Sequence, residues 1–332
     1  MSFRNKALLV ANDLRIVWSI LKNDGTLKAG QKCKVTIEVS SVCNLKCPLC
    51  PTGTGKTKRQ NRFMPGRIFD RIVEVTRPVT DGYILSMWGE PALHPELDKL
   101  IEKIYPHPVW IAANLNYKQS IAETMARWDN LHVICAVDTL VPSEYEAYRV
   151  GGDYKVMLRN LDILAAGKCH TYPQFLVEAG KNSDMYDIFA REHNIPTENV
   201  IIKIKRENFT LNPSGASAAG TCHAPYSGIY FNSDGEMVPC CNDVGNDLVM
   251  AHIDHIDLDA IVGRSDLARV RRLLAKDKNN FPSCGQCKGE TFWNTRLPVY
   301  KDYLAKVLFH SGKKSPQKMP FREPAGQKTT GE

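Results

Sequence analysis

Short apolar runs alternate with segments of helical periodicity from about residue 33 to residue 205. The runs predict β-strands at residues 34–41, 82–89, 109–116, 131–138, 173–180 and 199–208. The segments between them predict helices at residues 69–78, 96–105, 120–130, 154–167 and 184–195. Repeated β–α steps predict a parallel sheet with right-handed crossovers. We therefore expect an α/β fold, either an incomplete barrel or a wide curved sheet.

The pattern changes at both ends of this region. Residues 1–30 predict an N-terminal helical segment, and the barrel is expected over residues 31–210. A linker of small residues at 212–220 is followed by two short strands around Ser233-Asp234-Gly235, which predicts a hairpin, and by a helix near residues 266–277. We expect a small second domain at residues 211–295, then a C-terminal helix and a disordered basic tail at 296–332.

Composition and charge exclude several classes of protein. No stretch of eighteen apolar residues occurs, which argues against a membrane span. The apolar N-terminal run is interrupted by Asn12, Asp13 and Arg15, so it predicts a packed helix rather than a signal peptide, and we expect a cytoplasmic protein. The net charge is +7, but residues 312–332 hold five basic and two acidic residues. The folded part is only mildly basic and has no basic-aromatic groove pattern, so we expect no nucleic-acid partner.

The chain has eleven cysteines, an odd number that argues against a closed disulfide framework. In a reducing compartment clustered cysteines more often bind metal or take part in chemistry. Three of them, Cys43, Cys47 and Cys50, follow the first predicted strand in a C-x3-C-x2-C spacing. They lie in the first β–α loop, at the carboxyl end of the sheet where ligands bind. The following Gly55-Lys56-Thr57 lacks the first glycine of a phosphate-binding loop, since Cys50 stands there.

Three thiolates fill only three of the four coordination positions that a tetrahedral metal ion or a [4Fe–4S] cluster offers. A tetrahedral zinc ion would then keep a water, and a [4Fe–4S] cluster would keep one iron for an outside ligand. The spacing and its place after the first strand resemble the radical S-adenosylmethionine superfamily, in the SPASM/Twitch branch with auxiliary clusters. The resemblance implies a partial (β/α)6 TIM-like barrel in which Cys43, Cys47 and Cys50 bind three irons. The fourth iron would bind S-adenosylmethionine, whose reductive cleavage, driven by a flavodoxin- or ferredoxin-type donor, gives a 5′-deoxyadenosyl radical.

The resemblance also suggests further S-adenosylmethionine contacts. The second strand ends in Trp88-Gly89-Glu90-Pro91 where relatives have Gly-Gly-Glu-Pro, and Glu90 would accept a hydrogen bond from the cofactor's ammonium group. Later positions match less fully, since Ala136 lacks the serine hydroxyl that relatives often have, and an ordinary polar loop residue is an alternative for each. These candidates are Asn114, Asp138, Arg149 and Asn182.

A second cysteine set lies near the end of the chain. Its spacing is Cys222-x12-Gly235-x4-Cys240, followed by Cys284-x2-Cys287. Zinc would accept four thiolates, but the pattern resembles the SPASM and Twitch domains. With no cysteine after Cys287, the resemblance implies a Twitch-type domain with one auxiliary [4Fe–4S] cluster. Cys241 is an alternative ligand to Cys240. The remaining cysteines are expected to be small buried residues, namely Cys33, Cys135 and Cys169.

These observations favour an enzyme that uses S-adenosylmethionine and two [4Fe–4S] clusters. The auxiliary cysteines are similar to those of 2-deoxy-scyllo-inosamine dehydrogenase, so the leading hypothesis is radical oxidation of a small polar metabolite such as a sugar, cyclitol or nucleoside, with the second cluster as electron acceptor. Alternatives are redox-neutral decarboxylation, elimination or carbon–carbon bond formation, and peptide maturation. A non-enzymatic electron carrier or zinc protein is the alternative of a different class. The pattern identifies no general base.

Overall fold

The computed structural model describes residues 3–57, 60–178, 184–204, 220–263, 266–281, 284 and 287. Side chains are described from residue 10 onward within the first helix. The predicted C-terminal helix and tail at 296–332 and the candidate Asn182 lie outside the described residues, and the division into four segments stays a prediction.

Six parallel strands form the body of the molecule, as the sequence predicted. They are β1 Cys33–Ile37, β2 Thr80–Ile84, β3 Val109–Ala113, β4 Leu131–Asp138, β5 His170–Val177 and β6 Ile201–Ile204. Helices precede and connect them: α1 Phe3–Lys22, α2 Gly66–Thr76, α3 Leu97–Ile104, α4 Gln119–Met125, α5 Pro142–Tyr148, α6 Tyr154–Ala165 and α7 Met185–Glu192. Each strand pairs in parallel with the next along the chain, which confirms the α/β class and the parallel sheet.

The C-terminal segment continues this sheet. It comprises α8 Ala224–Ser227, β7 Gly228–Phe231, β8 Glu236–Val238, β9 Ala251–His252, α9 Leu258–Val262 and α10 Asp266–Lys276. Strand β7 pairs in parallel with β1, and the sheet order is β6-β5-β4-β3-β2-β1-β7-β8-β9. The predicted hairpin is confirmed, because β7 and β8 are antiparallel and Gly235 takes a left-handed φ of 85° in the turn. Strand β1 therefore lies between the barrel and the hairpin.

The two faces of the sheet differ in chemistry. Alternate residues such as Val35, Ile37 and Ile111 pack under the helices in the hydrophobic core. Cys33, Cys135 and Cys169 belong to that core, as predicted. The opposite, inner face carries polar and aromatic side chains in register across neighbouring strands, in the order Tyr230, Thr36, Ile84, Trp110, His132 and His170.

A buried arginine fastens the C-terminal segment to the rest of the molecule. Arg271 of α10 is 1% exposed, and its guanidinium donates hydrogen bonds to the carbonyl oxygens of Pro225 at 3.0 Å, Gly25 at 3.2 Å and Ile261 at 2.6 Å. Burial lowers the pKa of Arg271, but three acceptors satisfy its donors. Over the residues described, none of the helices is both long and apolar enough to cross a bilayer.

Candidate functional site

The first three cysteines lie together in the loop after β1. The backbone N–H of Cys50 donates to the carbonyl of Cys47 at 3.1 Å, which turns the loop back on itself. Burial raises the pKa of the Cys43 thiol to about 11, and the charges of Glu90, Cys47 and Cys50 raise it further. Burial also raises the pKa of Cys47, and Cys50 adds to that rise. The three thiols are thus within electrostatic range of one another.

Two side chains donate hydrogen bonds to these sulfurs. The Asn114 amide, at the end of β3, lies 3.9 Å from the Cys43 Sγ and 3.0 Å from the Asn44 Oδ1. The Arg149 Nη1, at the end of α5, lies 3.7 Å from the Cys47 Sγ. N–H donors aimed at sulfur favour the thiolate form and set the potential of any iron–sulfur group bound there. Both residues were predicted as candidates, and the structure brings both to the cysteines.

Arg149 is held in place by a buried ion pair. Its Nε donates to the Asp138 Oδ2 at 2.5 Å, and the two side chains are 18% and 3% exposed. Burial lowers the pKa of Arg149, but the Asp138 charge and hydrogen bond outweigh it, so the pKa lies above its usual value. Asp138 has a left-handed φ of 63°, which ends β4 and turns its carboxylate toward Arg149. Among the described residues, no donor reaches the buried Asp138 Oδ1.

The loop after β2 packs tightly against the loop that leads to the cysteines. The Glu90 N–H donates to the Val42 carbonyl at 2.8 Å. A Cβ on Gly89 would lie 2.1 Å from the Ser40 carbonyl oxygen, so only glycine allows this approach. Pro91 follows as the first residue of a short 3₁₀ helix, Pro91–Leu93. The structure therefore places Gly89, Glu90 and Pro91 beside the first cysteine set.

Glu90 is a buried carboxylate that faces this set. It is 3% exposed, and its oxygens accept backbone N–H bonds from Asn114 at 2.7 Å and Ala92 at 3.1 Å. Burial raises the pKa of Glu90 to about 7, although both hydrogen bonds and Arg149 oppose the rise. A cation bound nearby would lower that pKa and stabilise the carboxylate.

Trp88 connects the first cysteine set to the second. Its backbone N–H donates to the Glu38 Oε1 at 3.1 Å, and its indole N–H donates to the Cys241 carbonyl at 2.6 Å. Glu38 is fully buried just beyond β1. The tryptophan that replaces a glycine of the related motif thus spans from the β1 loop to the C-terminal cysteines.

The later cysteines also come together. Burial raises the pKa of Cys240 well above its usual value, and the charges of Cys241, Cys222 and Cys287 add to the rise. Burial raises the pKa of Cys284 to about 12, with contributions from Cys222 and Cys287. Each predicted auxiliary ligand is therefore within electrostatic range of others in the set. Cys241 also helps to line a cavity on the inner face of the sheet, and the choice of Cys240 as the ligand stays a prediction.

The donor sets fit iron–sulfur clusters. A [4Fe–4S] core is held by cysteine thiolates, and cysteine is the donor type that both sets provide. The N–H donors at Cys43 and Cys47 and the orphaned Asp138 oxygen fit a bound polar group at the first site.

A cavity of about 270 Å³ opens on the inner face of β1, β2 and β7. Its walls include Lys34, Thr36, Ile84, Ser86, Tyr230 and Cys241. Beyond it, Trp110 stacks on His132 at 4.3 Å between ring centroids, and Tyr172 OH lies 3.0 Å from the His132 Nδ1. Burial lowers the pKa of His132 to about 4, so the imidazole is neutral at pH 7.

Sequence reasoning missed several residues of this site. Asn44 is hydrogen-bonded to Asn114 and donates to the Asn116 carbonyl at 2.5 Å, while Tyr145 OH donates to the Asn114 carbonyl at 3.3 Å. Asn44 was visible in the sequence as the residue that follows Cys43 within the cysteine motif. Tyr145 lies on α5, a helix absent from the prediction, so its spacing carried no usable signal.

Comparisons with known proteins agree with this geometry. Residues 222–288 match the SPASM family model, described as an iron–sulfur cluster-binding domain. The fold is similar to Streptococcus suis SuiB bound to S-adenosylmethionine, with TM-score 0.57, 15% identity, and 80% of this chain and 74% of that chain covered. It is also similar to anSMEcpe with bound AdoMet, with TM-score 0.57, 15% identity, and 84% and 97% covered. No curated protein matches the sequence.

These findings confirm the predicted fold class and the SPASM-type C-terminal domain. The family match supports the predicted iron–sulfur site in the C-terminal segment, and the fold is shared with proteins whose structures contain bound S-adenosylmethionine. The shortened, Twitch form of the domain stays a prediction.

Proposed function

We propose that this chain is a radical S-adenosylmethionine oxidoreductase that oxidises a small polar metabolite, such as a sugar, cyclitol or nucleoside. The observation that carries the proposal is the cavity on the inner face of β1, β2 and β7. The strands β1 and β2 lead into the first cysteine set and the Glu90 loop, and Cys241 of the SPASM segment belongs to the cavity wall. A substrate there would lie between the two cysteine sets.

The bound cofactors supply the chemistry. S-adenosylmethionine at the first cluster would supply a 5′-deoxyadenosyl radical that can take a hydrogen atom from a substrate C–H bond, and the auxiliary cluster would accept one electron. With one proton released to a base, an alcohol carbon would become a carbonyl, which is a two-electron oxidation.

The chain's own residues bind and orient these groups. Cys43, Cys47 and Cys50 would hold the first cluster, and Cys222, Cys240, Cys284 and Cys287 the second. Asn114 and Arg149 donate N–H bonds to two of the first thiolates, and Asp138 holds Arg149 in place. Glu90, buried beside Cys43, would accept a hydrogen bond from the ammonium of S-adenosylmethionine.

The cavity suits a compact, hydroxyl-bearing substrate. Its volume of about 270 Å³ lies just below the range usual for small-molecule sites, which suits a single sugar-like ring. Thr36, Ser86 and Tyr230, which bear hydroxyl groups, are among the residues that line it, and the Lys34 ammonium in the same wall is paired with Asp81 at 3.0 Å.

A peptide is the second candidate substrate. The fold is also similar to SuiB bound to the precursor peptide SuiA, with TM-score 0.56 and 16% identity, and to anSMEcpe with bound Cp18Cys peptide, with TM-score 0.54 and 14% identity. A cavity of this volume would accept one side chain of a peptide. Redox-neutral radical chemistry on the same small substrates is the remaining alternative.

Anaerobic reconstitution tests the proposal. We expect about eight irons per chain, and 5′-deoxyadenosine on addition of dithionite and S-adenosylmethionine. Cys47→Ala should abolish cofactor cleavage, whereas Cys284→Ala should still cleave it but form no oxidised product. Cys135→Ala, in the hydrophobic core, is the matched control and should retain both clusters.

Candidate substrates are then compared. Deuterated sugars, cyclitols and nucleosides are supplied separately, and deuterium in 5′-deoxyadenosine identifies the substrate and the carbon attacked. Transfer of deuterium from a labelled peptide, and from no small molecule, would overturn the proposal in favour of the peptide. A product of unchanged oxidation state would favour the redox-neutral alternative.

A further inference from the structure

A buried lysine lies next to the second cysteine set. Lys278 is 0% exposed and begins a short 3₁₀ helix, Lys278–Asn280, just after α10. Lysine is almost never fully buried without compensation, because removing an ammonium group from water costs several kcal/mol. The proposed reaction assigns no role to this buried ammonium group.

Backbone hydrogen bonds fix Lys278 between two segments that carry cysteines of the second set. Its N–H donates to the Gly220 carbonyl at 2.6 Å, two residues before Cys222. Its carbonyl accepts from the Phe281 N–H at 3.1 Å, and the Phe281 carbonyl accepts from the Cys284 N–H at 3.0 Å. Lys278 is therefore tied by short hydrogen bonds to the segments that carry Cys222 and Cys284.

The Lys278 side chain also reaches the segment that carries Cys284. The Lys278 Nζ donates to the Cys284 carbonyl at 3.2 Å. On another arm of the set, the Asp243 N–H donates to the Cys240 carbonyl at 3.3 Å. Asp243 is 6% exposed and accepts backbone N–H bonds from Asp247 and Leu248. One buried lysine and one buried aspartate thus lie next to the same cysteine set.

We propose that Lys278 is a positioning residue that raises the reduction potential of the auxiliary cluster and so makes it an electron acceptor. This inference rests on the proposed function and assigns the direction of electron flow. A [4Fe–4S] core held by four thiolates is negatively charged, and a one-electron reduction makes it more negative. A buried ammonium stabilises the reduced form more than the oxidised form, since charges interact strongly in a low-dielectric interior. Asp243 acts in the opposite direction.

Redox titration of the reconstituted chain, without substrate, tests the inference. Each variant is first checked for iron content, and the midpoint potentials of both clusters are then followed by electron paramagnetic resonance. Lys278→Met should lower the auxiliary potential enough to shift its electron-transfer equilibrium at least tenfold, about 59 mV for one electron. The potential of the first cluster should not change. Asp243→Asn should raise the auxiliary potential, and Lys278→Arg should keep it near the native value.

Lys276→Met is the matched control, because Lys276 is an exposed lysine two residues earlier. It should leave both potentials unchanged. If Lys278→Met fails to retain the auxiliary cluster, Lys278→Gln, which keeps a donor for the Cys284 carbonyl but no charge, replaces it in the titration. An unchanged auxiliary potential in a fully loaded neutral variant would overturn the inference. Absence of an auxiliary cluster from the native chain would instead overturn the proposed function.

Discussion

Removal of the Arg149 side chain tests whether the ion pair with Asp138 holds the first cysteine site together. The pair is buried, with the two side chains 18% and 3% exposed and an N–O distance of 2.5 Å. Two unit charges 4 Å apart interact by about 4 kcal/mol at an effective dielectric of 20, and loss of one partner from a buried pair costs about 3–5 kcal/mol. We therefore expect Arg149→Met to lower the free energy of unfolding by about 3–4 kcal/mol, because Asp138 is left buried without its cation.

A double-mutant cycle isolates the interaction. Asp138→Asn tolerates the left-handed φ of 63° at this position, so its effect reports lost charge rather than backbone strain. If the pair is coupled, the double variant should be more stable than the sum of the single effects predicts, by about 2 kcal/mol or more. Urea unfolding of the anaerobically purified chain, followed by far-UV circular dichroism, measures all four proteins.

A surface pair is the matched control for this cycle. Arg127 and Asp98 lie 3.1 Å apart, but their side chains are 65% and 45% exposed, so we expect a coupling energy below about 1 kcal/mol. If the Arg149–Asp138 coupling is as small as this control, the buried pair does not organise the site and the reasoning is refuted.

Three further predictions concern the inner face and the loop after β2. Burial lowers the pKa of His132 from 6.5 to about 4, so the unfolded chain binds a proton that the folded chain does not. Stability should fall by up to about 3 kcal/mol as the pH drops from 6.5 to 4, and His132→Phe should remove that dependence in urea titrations. Gly89→Ala should cost about 3 kcal/mol by thermal unfolding, because its Cβ would lie 2.1 Å from the Ser40 carbonyl oxygen. Trp88→Phe should cost about 1 kcal/mol, because the Cys241 carbonyl loses its donor, and hydrogen exchange should rise around that residue.

For each of these predictions a specific result would contradict the reasoning. A pH dependence of stability that is unchanged in His132→Phe would contradict the assignment to His132. A Cβ on Gly66 would meet nothing closer than 4.0 Å, so Gly66→Ala should be tolerated. A Gly89→Ala protein as stable as Gly66→Ala would disprove the close approach. Unchanged exchange around Cys241 in Trp88→Phe would show that the indole hydrogen bond is dispensable.

The fold was predictable because local periodicity determines the type and order of these elements. The errors are at strand ends and in the helix α5, which was not predicted. The apolar alternation of the first strand continues to Val39, which is fully buried, yet β1 ends at Ile37 because the Val39 N–H already donates to the Ile37 carbonyl in a tight turn. The sequence also contained a sign of the inner face that the prediction did not use. Parallel strands buried on both faces are continuous apolar runs, so His132 between Leu131 and Val133 indicates a polar face.

The site was predictable only where a motif is local. The cysteine spacing and Gly89-Glu90-Pro91 are contiguous stretches, whereas the hydrogen bonds that organise them join residues far apart in the chain. Asn114 is 71 residues from Cys43, and Arg149 is 102 residues from Cys47. The sequence did not indicate that Lys278 is buried, because a lysine near a helix end is ordinarily solvated. Only the fold shows its burial.

The central position of β1 explains how one chain joins two cysteine sets through a single sheet. On one edge β1 pairs with β2, whose loop carries Glu90, and on the other edge it pairs with β7, which leads through the hairpin to Cys240. Parallel pairing brings the carboxyl ends of β1, β2 and β7 to the same edge of the sheet, whereas the antiparallel β8 returns the chain toward Gly228 at the amino end of β7. Trp88 reaches from the β2 loop to the Cys241 carbonyl and so ties the two segments together. Since the β1–β7 ladder sets the height of the SPASM cysteines relative to the first set, a shift in its register would separate the two sets without disturbing either cysteine motif.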